Sequence, residues 1–363
     1  MRILIGTAGR IESRSGASQI VVHLAAALSE LGHAVEAMGD APPIDLPARR
    51  HRAWHLDQIA ARVRTKGPFD AVDVPPILAR AGLAGEGLLV VRSTQPELRY
   101  LRAEAAEALG RALRGSARAA LSLLFLAIRR RWVQSGWKAA SLMFCLGSLE
   151  HEWMRRNCPK LADRLRVYVI APGESDRRRL QRVRAERRLP AVAGVRFLWI
   201  GRWTRHKGTQ ALRRFALERL SRCREDSLTL AGTGIEPSIR WPEAVRDRIR
   251  IVPAFERGEL PALLAQHHAG IFTSVAEGWG LSIQEMLESG MPLLATPEGA
   301  VPDLRPYFPE AIHAFPPHPG WCAPGAAVSP TATYERRFSW ESIAREYAEA
   351  VEAARPESRA RRN

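Results

Sequence analysis

The stretch from Ala269 to Thr296, AGIFTSVAEGWGLSIQEMLESGMPLLAT, leaves few choices beyond strand, glycine loop, helix, glycine stop and second strand. Ala269 to Ser274 is an apolar run of strand length. Ile283, Met286 and Leu287 recur at i, i+3 and i+4, the one-sided spacing of a helix packed on a sheet. Gly290 followed by Pro292 ends that helix.

Between strand and helix lies Glu277-Gly278-Trp279-Gly280. Residues without side chains let backbone N–H groups approach an anion at the positive end of a helix, so the amides of Gly278, Trp279, Gly280 and Leu281 form a seat for a diphosphate. Glu277 stands before the helix and Glu285 follows eight residues later, about a turn into the helix and off its apolar face. Both carboxylates can then overhang the seat, and a carboxylate suits the vicinal hydroxyls of a ribose or hexose. The plainer reading makes Glu277 a loop charge and Glu285 a solvated helix residue.

Two glutamates separated by seven residues after a strand, with Glu-Gly-Trp-Gly at the first, resemble the hallmark of the retaining nucleotide-sugar glycosyltransferases of family 4. The resemblance implies an α/β chain of two Rossmann-like domains facing a cleft, the GT-B fold. It also implies hexosyl transfer from a nucleoside diphosphate sugar to an acceptor hydroxyl with retention, and no cofactor or metal. In that family Glu277 would hold sugar hydroxyls, Glu285 would hold the ribose, and the leaving phosphate would serve as base.

Gly201-Arg202-Trp203-Thr204-Arg205-His206-Lys207-Gly208 lies between the strand Val195 to Ile200 and a helix starting near Thr209. Arg grips phosphate oxygens bidentately and Lys acts as a point charge, so both cations suit a diphosphate. The chain has only four lysines (66, 138, 160 and 207), which singles out Lys207 in a sequence that chooses arginine elsewhere. The spacing of Arg202 and Lys207 also resembles the family's donor-diphosphate pattern. Phe255, after the strand Ile249 to Val252, occupies the family's nucleobase position, where it either stacks on a base or packs in the core.

At the other end of the chain, Arg2 to Thr7 predicts a first strand, and Ile20, Val21, Leu24, Leu28 and Leu31 mark a helix closed by Gly32. Gly16 precedes that helix, either as a plain helix-entry glycine or, by the resemblance, as part of the glycine loop that the family keeps facing donor and acceptor. Strands are expected at Ala71 to Val74, Leu88 to Val91, Leu142 to Leu146, Val167 to Ile170 and Ser227 to Ala231. After the fourth strand, Thr94 matches the position of a histidine that many family members carry near the reacting sugar. A threonine cannot serve there as an acid or base near neutral pH, which leaves Glu97 as the fallback.

A chain of 363 residues exceeds what one core usually supports. An acceptor-side domain over 1–182, joined by a terminal helix over 339–363, and a nucleotide-sugar domain over 189–338 are expected. Cys145, Cys158, Cys223 and Cys322 have neither metal-ligand spacing nor the density of a disulfide scaffold, which fits free thiols in a reducing cytoplasm. The net charge of +16 invites a nucleic-acid partner, but arginines are spread along the whole chain and no recognition motif accompanies them. Residues 99–134 hold eight arginines against two glutamates around the apolar run Ala119 to Ile128, too short to span a bilayer but suited to peripheral contact with one. A helix pair with a solvated basic face is the alternative. The expected partners are a nucleotide-sugar donor and a saccharide or lipid-linked acceptor. A phosphorylase or epimerase on the same fold, and a catalytically silent sugar-nucleotide-binding paralogue, are the other functional readings.

Overall fold

The computed structural model describes residues 1–11, 16–187, 194–234 and 240–360, with side chains omitted at 16–17 and 356–360. Contacts divide the chain into two compact units, Met1–Ile170 with Arg337–Asn363, and Ala171–Arg336. The division falls before the helix Glu174–Glu186 rather than in the expected interval 182–189. The reason is packing: Arg177 on that helix donates to the Glu288 carboxylate at 3.2 Å, and Asp176 accepts from Arg257 at 2.9 Å, which ties the charged connection to the second unit.

In the first unit, β1 (Arg2–Gly6), α1 (Gly16–Glu30), β2 (Ala34–Met38), α2 (Ala48–Lys66), β3 (Ala71–Val74) and β4 (Leu88–Arg92) are followed by two long helices, α3 (Glu97–Ala112) and α4 (Ala117–Ala139). Then come β5 (Leu142–Leu146), α5 (Gly147–Asn157) and β6 (Leu165–Tyr168). The strands form one parallel sheet in the order β2-β1-β3-β4-β5-β6. Every residue of β3, β4 and β5 is buried, Asp73 and Arg92 included, as expected where helices cover both faces of a parallel sheet. One local expectation shifts: the sixth strand begins at Leu165, two residues before Val167. Gly147 opens α5 directly after β5.

The second unit begins with α6 (Glu174–Glu186) and continues through β7 (Arg196–Ile200), α7 (Thr209–Arg222), β8 (Ser227–Ala231), α8 (Glu243–Arg246), β9 (Ile249–Val252) and α9 (Leu260–Ala265). It is completed by β10 (Ala269–Phe272), α10 (Leu281–Glu288), β11 (Leu293–Ala295), α11 (Val301–Leu304), β12 (Ile312–Ala314) and α12 (Tyr334–Arg337). Its sheet is parallel, in the order β12-β11-β10-β7-β8-β9. Strand order therefore reverses between β7 and β10, which pair directly with Ala269 opposite Phe197 and Ile271 opposite Trp199. A doubly wound sheet opens a crevice at the carboxyl ends of the strands where its order reverses.

The last described helix is α13 (Trp340–Ala360), capped by Ser339, whose hydroxyl accepts from the Ser342 amide at 3.1 Å. This helix belongs to the first unit. Tyr347 stacks on Phe144 with ring centroids 4.7 Å apart and donates its hydroxyl to Asp73 at 2.8 Å. Asp73 also pairs with Arg92 at 2.9 Å, so one buried carboxylate fixes the helix to two neighbouring strands.

Candidate active site

The loops that leave β7 and β10 emerge at the same end of the sheet and are stitched together. Gly208 adopts the left-handed conformation (φ 68°), and a Cβ there would lie 1.7 Å from the Thr273 carbonyl oxygen, so only glycine lets the two backbones meet. The Thr273 hydroxyl donates to the Lys207 carbonyl at 2.7 Å and receives the Trp199 indole N–H at 3.2 Å. The Val275 amide donates to the His206 carbonyl at 2.8 Å.

This stitching places Lys207 against Glu277. The ammonium and the carboxylate form an ion pair between residues 70 apart in sequence, and Ser274 Oγ donates to the same Glu277 oxygen at 3.1 Å. Both side chains are largely withdrawn from solvent, 19% and 11% exposed, where screening is weak and a charge acts strongly on a neighbouring anion. Gly280, also left-handed (φ 76°), opens α10 directly beside Glu277: a Cβ on it would sit 3.2 Å from Glu277 Cγ. A paired cation, a carboxylate and the first turn of a helix thus converge at the point where the sheet reverses.

Arg202 stands exposed on the loop that carries Lys207. The amides of Gly278 and Trp279 precede the helix, and those of Gly280 and Leu281 begin it. The Trp279 indole is 1% exposed and points into the core, where it donates to Gln284 Oε1 at 3.0 Å. Phe255 is half-buried, with its ring edge 3.2 Å from the position a Cβ on Gly232 would take. Ring and glycine lie on the loops that follow adjacent strands, β9 and β8.

Glu285 departs from its expected surroundings. All residues of α10 from Ile283 to Glu288 are buried, so no face is left solvated at Glu285, which is 3% exposed. Its carboxylate lies 2.5 Å from an Arg257 guanidinium nitrogen, and Arg257 also holds Asp176. Burial pushes the Glu285 carboxyl above the usual range, while Arg257 pulls it back.

In the first unit, Gly16 opens α1, and residues 12–15 of its glycine loop fall outside the described residues. Thr94 is half-buried at the end of β4. Glu97 begins α3, 5% exposed, with its carboxyl pushed up by burial. Glu150 carries a signal that sequence reading missed. It is 6% exposed and touches Ser93 Oγ at 2.8 Å, while Ser93 Oγ also contacts the Gln95 carbonyl at 2.7 Å.

The Ser93 hydroxyl has one hydrogen to share between two acceptors, the Gln95 carbonyl and the Glu150 carboxyl. Burial raises the Glu150 pKa to about 8, although the Ser93 hydroxyl and the Leu146 amide pull it back by donating to its two oxygens. In sequence, Glu150 reads only as an ordinary acid in a first helical turn.

A carboxyl whose folded pKa lies above its unfolded value of 4.5 stabilises the fold fully below 4.5, and that contribution is lost as pH rises toward about 8. Glu150→Gln is expected to flatten the decline of stability across this window, a slope of at most about 1.4 kcal/mol per pH unit from this one group. Denaturant titrations at several pH values check it, and an unchanged profile would show Glu150 ionised in the fold.

Residues 194–307 match the family model described as Glycosyl transferases group 1. The matched segment contains every site residue of the second unit, from Arg202 to Glu285. Solved structures align over nearly the whole chain. Sucrose-phosphate synthase from Thermosynechococcus elongatus is 16% identical, with 97% of this chain and 94% of that one covered at a TM-score of 0.61. The catalytic domain of starch synthase IV from Arabidopsis thaliana, bound to ADP and acarbose, is 11% identical, with 98% and 99% covered at 0.61. HepE from Anabaena, in complex with UDP-glucose, is 14% identical, with 97% and 100% covered at 0.60. No curated protein matches the chain. The likeness shows the fold: two parallel six-stranded sheets with flanking helices, the GT-B architecture of these glycosyltransferases. Match and neighbours together support a glycosyltransferase.

Proposed function

We propose that this chain transfers a hexosyl group from a nucleoside diphosphate sugar to an acceptor hydroxyl, on a saccharide or a lipid-linked alcohol, with retention and without a metal. The observation that carries the reading is the meeting of Lys207 and Glu277 beside the glycine-opened helix α10, at the reversal point of the sheet. As the bond between the anomeric carbon and the diphosphate oxygen breaks, charge builds on the leaving group. In this reading Lys207, Arg202 and the amides from Gly278 to Leu281 meet it, and oriented charges of this kind contribute a few kcal/mol each. The acceptor oxygen forms the new bond to the same face of the sugar, and its proton passes to the departing diphosphate. Glu277 orients the ammonium and accepts from sugar hydroxyls.

The neighbours bound to ADP or UDP-glucose support a nucleotide-sugar donor. A thermal-shift screen against UDP, GDP, ADP and dTDP sugars finds the donor, because a ligand that binds only the folded state raises apparent stability. Product analysis then separates transfer from phosphorolysis, epimerisation and silent binding. Release of nucleoside diphosphate with a new glycoside is expected, and stabilisation without turnover would favour the silent paralogue.

Glu285 is the proposed ribose ligand, held ready by Arg257. Glu285→Ala is expected to weaken binding of the free nucleoside diphosphate by roughly 1.5–3 kcal/mol, the size of a lost charged hydrogen bond. Calorimetric titration measures it. Wild-type affinity in a folded Glu285→Ala protein would assign the carboxylate to the Arg257 pair alone.

A further inference from the structure

Of the nine large apolar side chains exposed among the described residues, five lie on the hairpin of α3 and α4: Leu109, Leu113, Leu121, Leu124 and Phe125. They are 46% to 80% exposed, so they stand out from the surface rather than filling a seam. The seam between the helices is occupied by Leu101, Ala108 and Leu126. The protruding groups are thus surplus to the packing that holds the hairpin together. Leu121, Leu124 and Phe125 share one face of α4 at i, i+3 and i+4, and Leu109 and Leu113 lie one turn apart at the end of α3.

The charge around them has one sign. Residues 99–134 contain eight arginines and two glutamates, and both glutamates are engaged, Glu107 with Arg111 at 3.1 Å and Glu104 with Arg129 at 3.3 Å. Arg102, Arg111, Arg114, Arg118, Arg130 and Arg131 are exposed. No helix among the described residues is long and apolar enough to cross a membrane. Isolated apolar side chains set among arginines match a surface that offers hydrocarbon beneath negative headgroups. A second copy of the chain would bring the same positive charge against itself, and a nucleic acid has no use for the leucines.

We propose that the α3–α4 hairpin seats this protein on an anionic lipid bilayer. Leu113, Leu121, Leu124 and Phe125 enter the boundary between headgroups and acyl chains, while the exposed arginines pair with lipid phosphates. The proposal stands apart from the transferase reading and does not need it.

The test is co-sedimentation of the full chain with vesicles of phosphatidylcholine alone, or mixed equally with phosphatidylglycerol, at low and high salt. Binding to the mixed vesicles is expected, weakened by salt because headgroup pairing is screened. Leu121→Ser/Leu124→Ser should weaken binding about tenfold or more at an unchanged melting temperature, since both side chains are already exposed. Arg111→Gln/Arg114→Gln/Arg118→Gln should weaken it and flatten its salt dependence. Arg214→Gln/Arg222→Gln/Arg224→Gln, exposed arginines of the second unit, should bind as wild type.

Three results would overturn the proposal. Wild-type protein could fail to bind the mixed vesicles at low salt. The second-unit variant could lose binding as fully as the hairpin variant. The serine variant could bind vesicles normally while losing a concentration-dependent dimer in sedimentation, which would give the face to a second copy.

Discussion

Lys207→Ala is expected to cut turnover by about 10²- to 10³-fold, the loss seen when one preorganised charge is removed from a developing anion. The ammonium is held by Glu277, and its stem passes Gly201, with Cδ 3.7 Å from where a Cβ on that glycine would stand. A planar guanidinium is longer and spreads its charge over a fork, so it cannot reproduce a point charge beside the glycine loop. Lys207→Arg should therefore keep the fold and still lose at least about tenfold in kcat. The loss should fall on kcat more than on KM, because the charge acts on a group that becomes more negative in the transition state. Steady-state kinetics with the donor from the thermal-shift screen, paired with melting temperatures, decide it. Wild-type turnover in Lys207→Arg would mean that any cation suffices.

Arg177→Ala carries the second large effect, a loss of about 3–5 kcal/mol from the stability of the second unit. Arg177 and Glu288 are buried, and Glu288 ends a one-directional chain of donors: Trp279 to Gln284 at 3.0 Å, Gln284 to Tyr334 at 2.8 Å, and the Tyr334 hydroxyl to Glu288 at 2.5 Å. Each donor points toward the carboxylate, which has to stay an acceptor. Removing the arginine leaves that charge buried and unpaired. The chain begins at Trp279 in the glycine loop, so loosening it should also disturb the seat. Hydrogen exchange over 279–289 against denaturant reads the effect locally, apart from the first unit. Arg177→Met/Glu288→Leu should recover most of the stability, since replacing both partners removes the stranded charge. A fully stable Arg177→Ala protein would show that Glu288 takes up a proton without cost.

Strands β3, β5, β8 and β9 match the boundaries read from sequence because each is a short segment rich in β-branched and aliphatic residues. The glycine-opened helix was equally legible, since Gly280, Ile283, Met286, Leu287 and Gly290 lie within eleven residues of one another. The unit boundary was not. A charged, arginine-rich helix looks like a connection until Asp176 and Arg177 find partners in the second unit.

Local order along the chain set the two loops, their glycines and their cations, because strand, loop and helix signals act over a few residues. Bringing Lys207 to Glu277 required β7 and β10 to lie side by side, a pairing of distant strands that no local pattern encodes. The same holds for the two glutamates whose surroundings differ from expectation. Glu285 follows Glu277 by eight positions, but Arg257 and α6 decide that Glu285 is buried. Glu150 is an ordinary helix-start acid in sequence, and its carboxyl is pushed above the usual range only because the fold withdraws it from water.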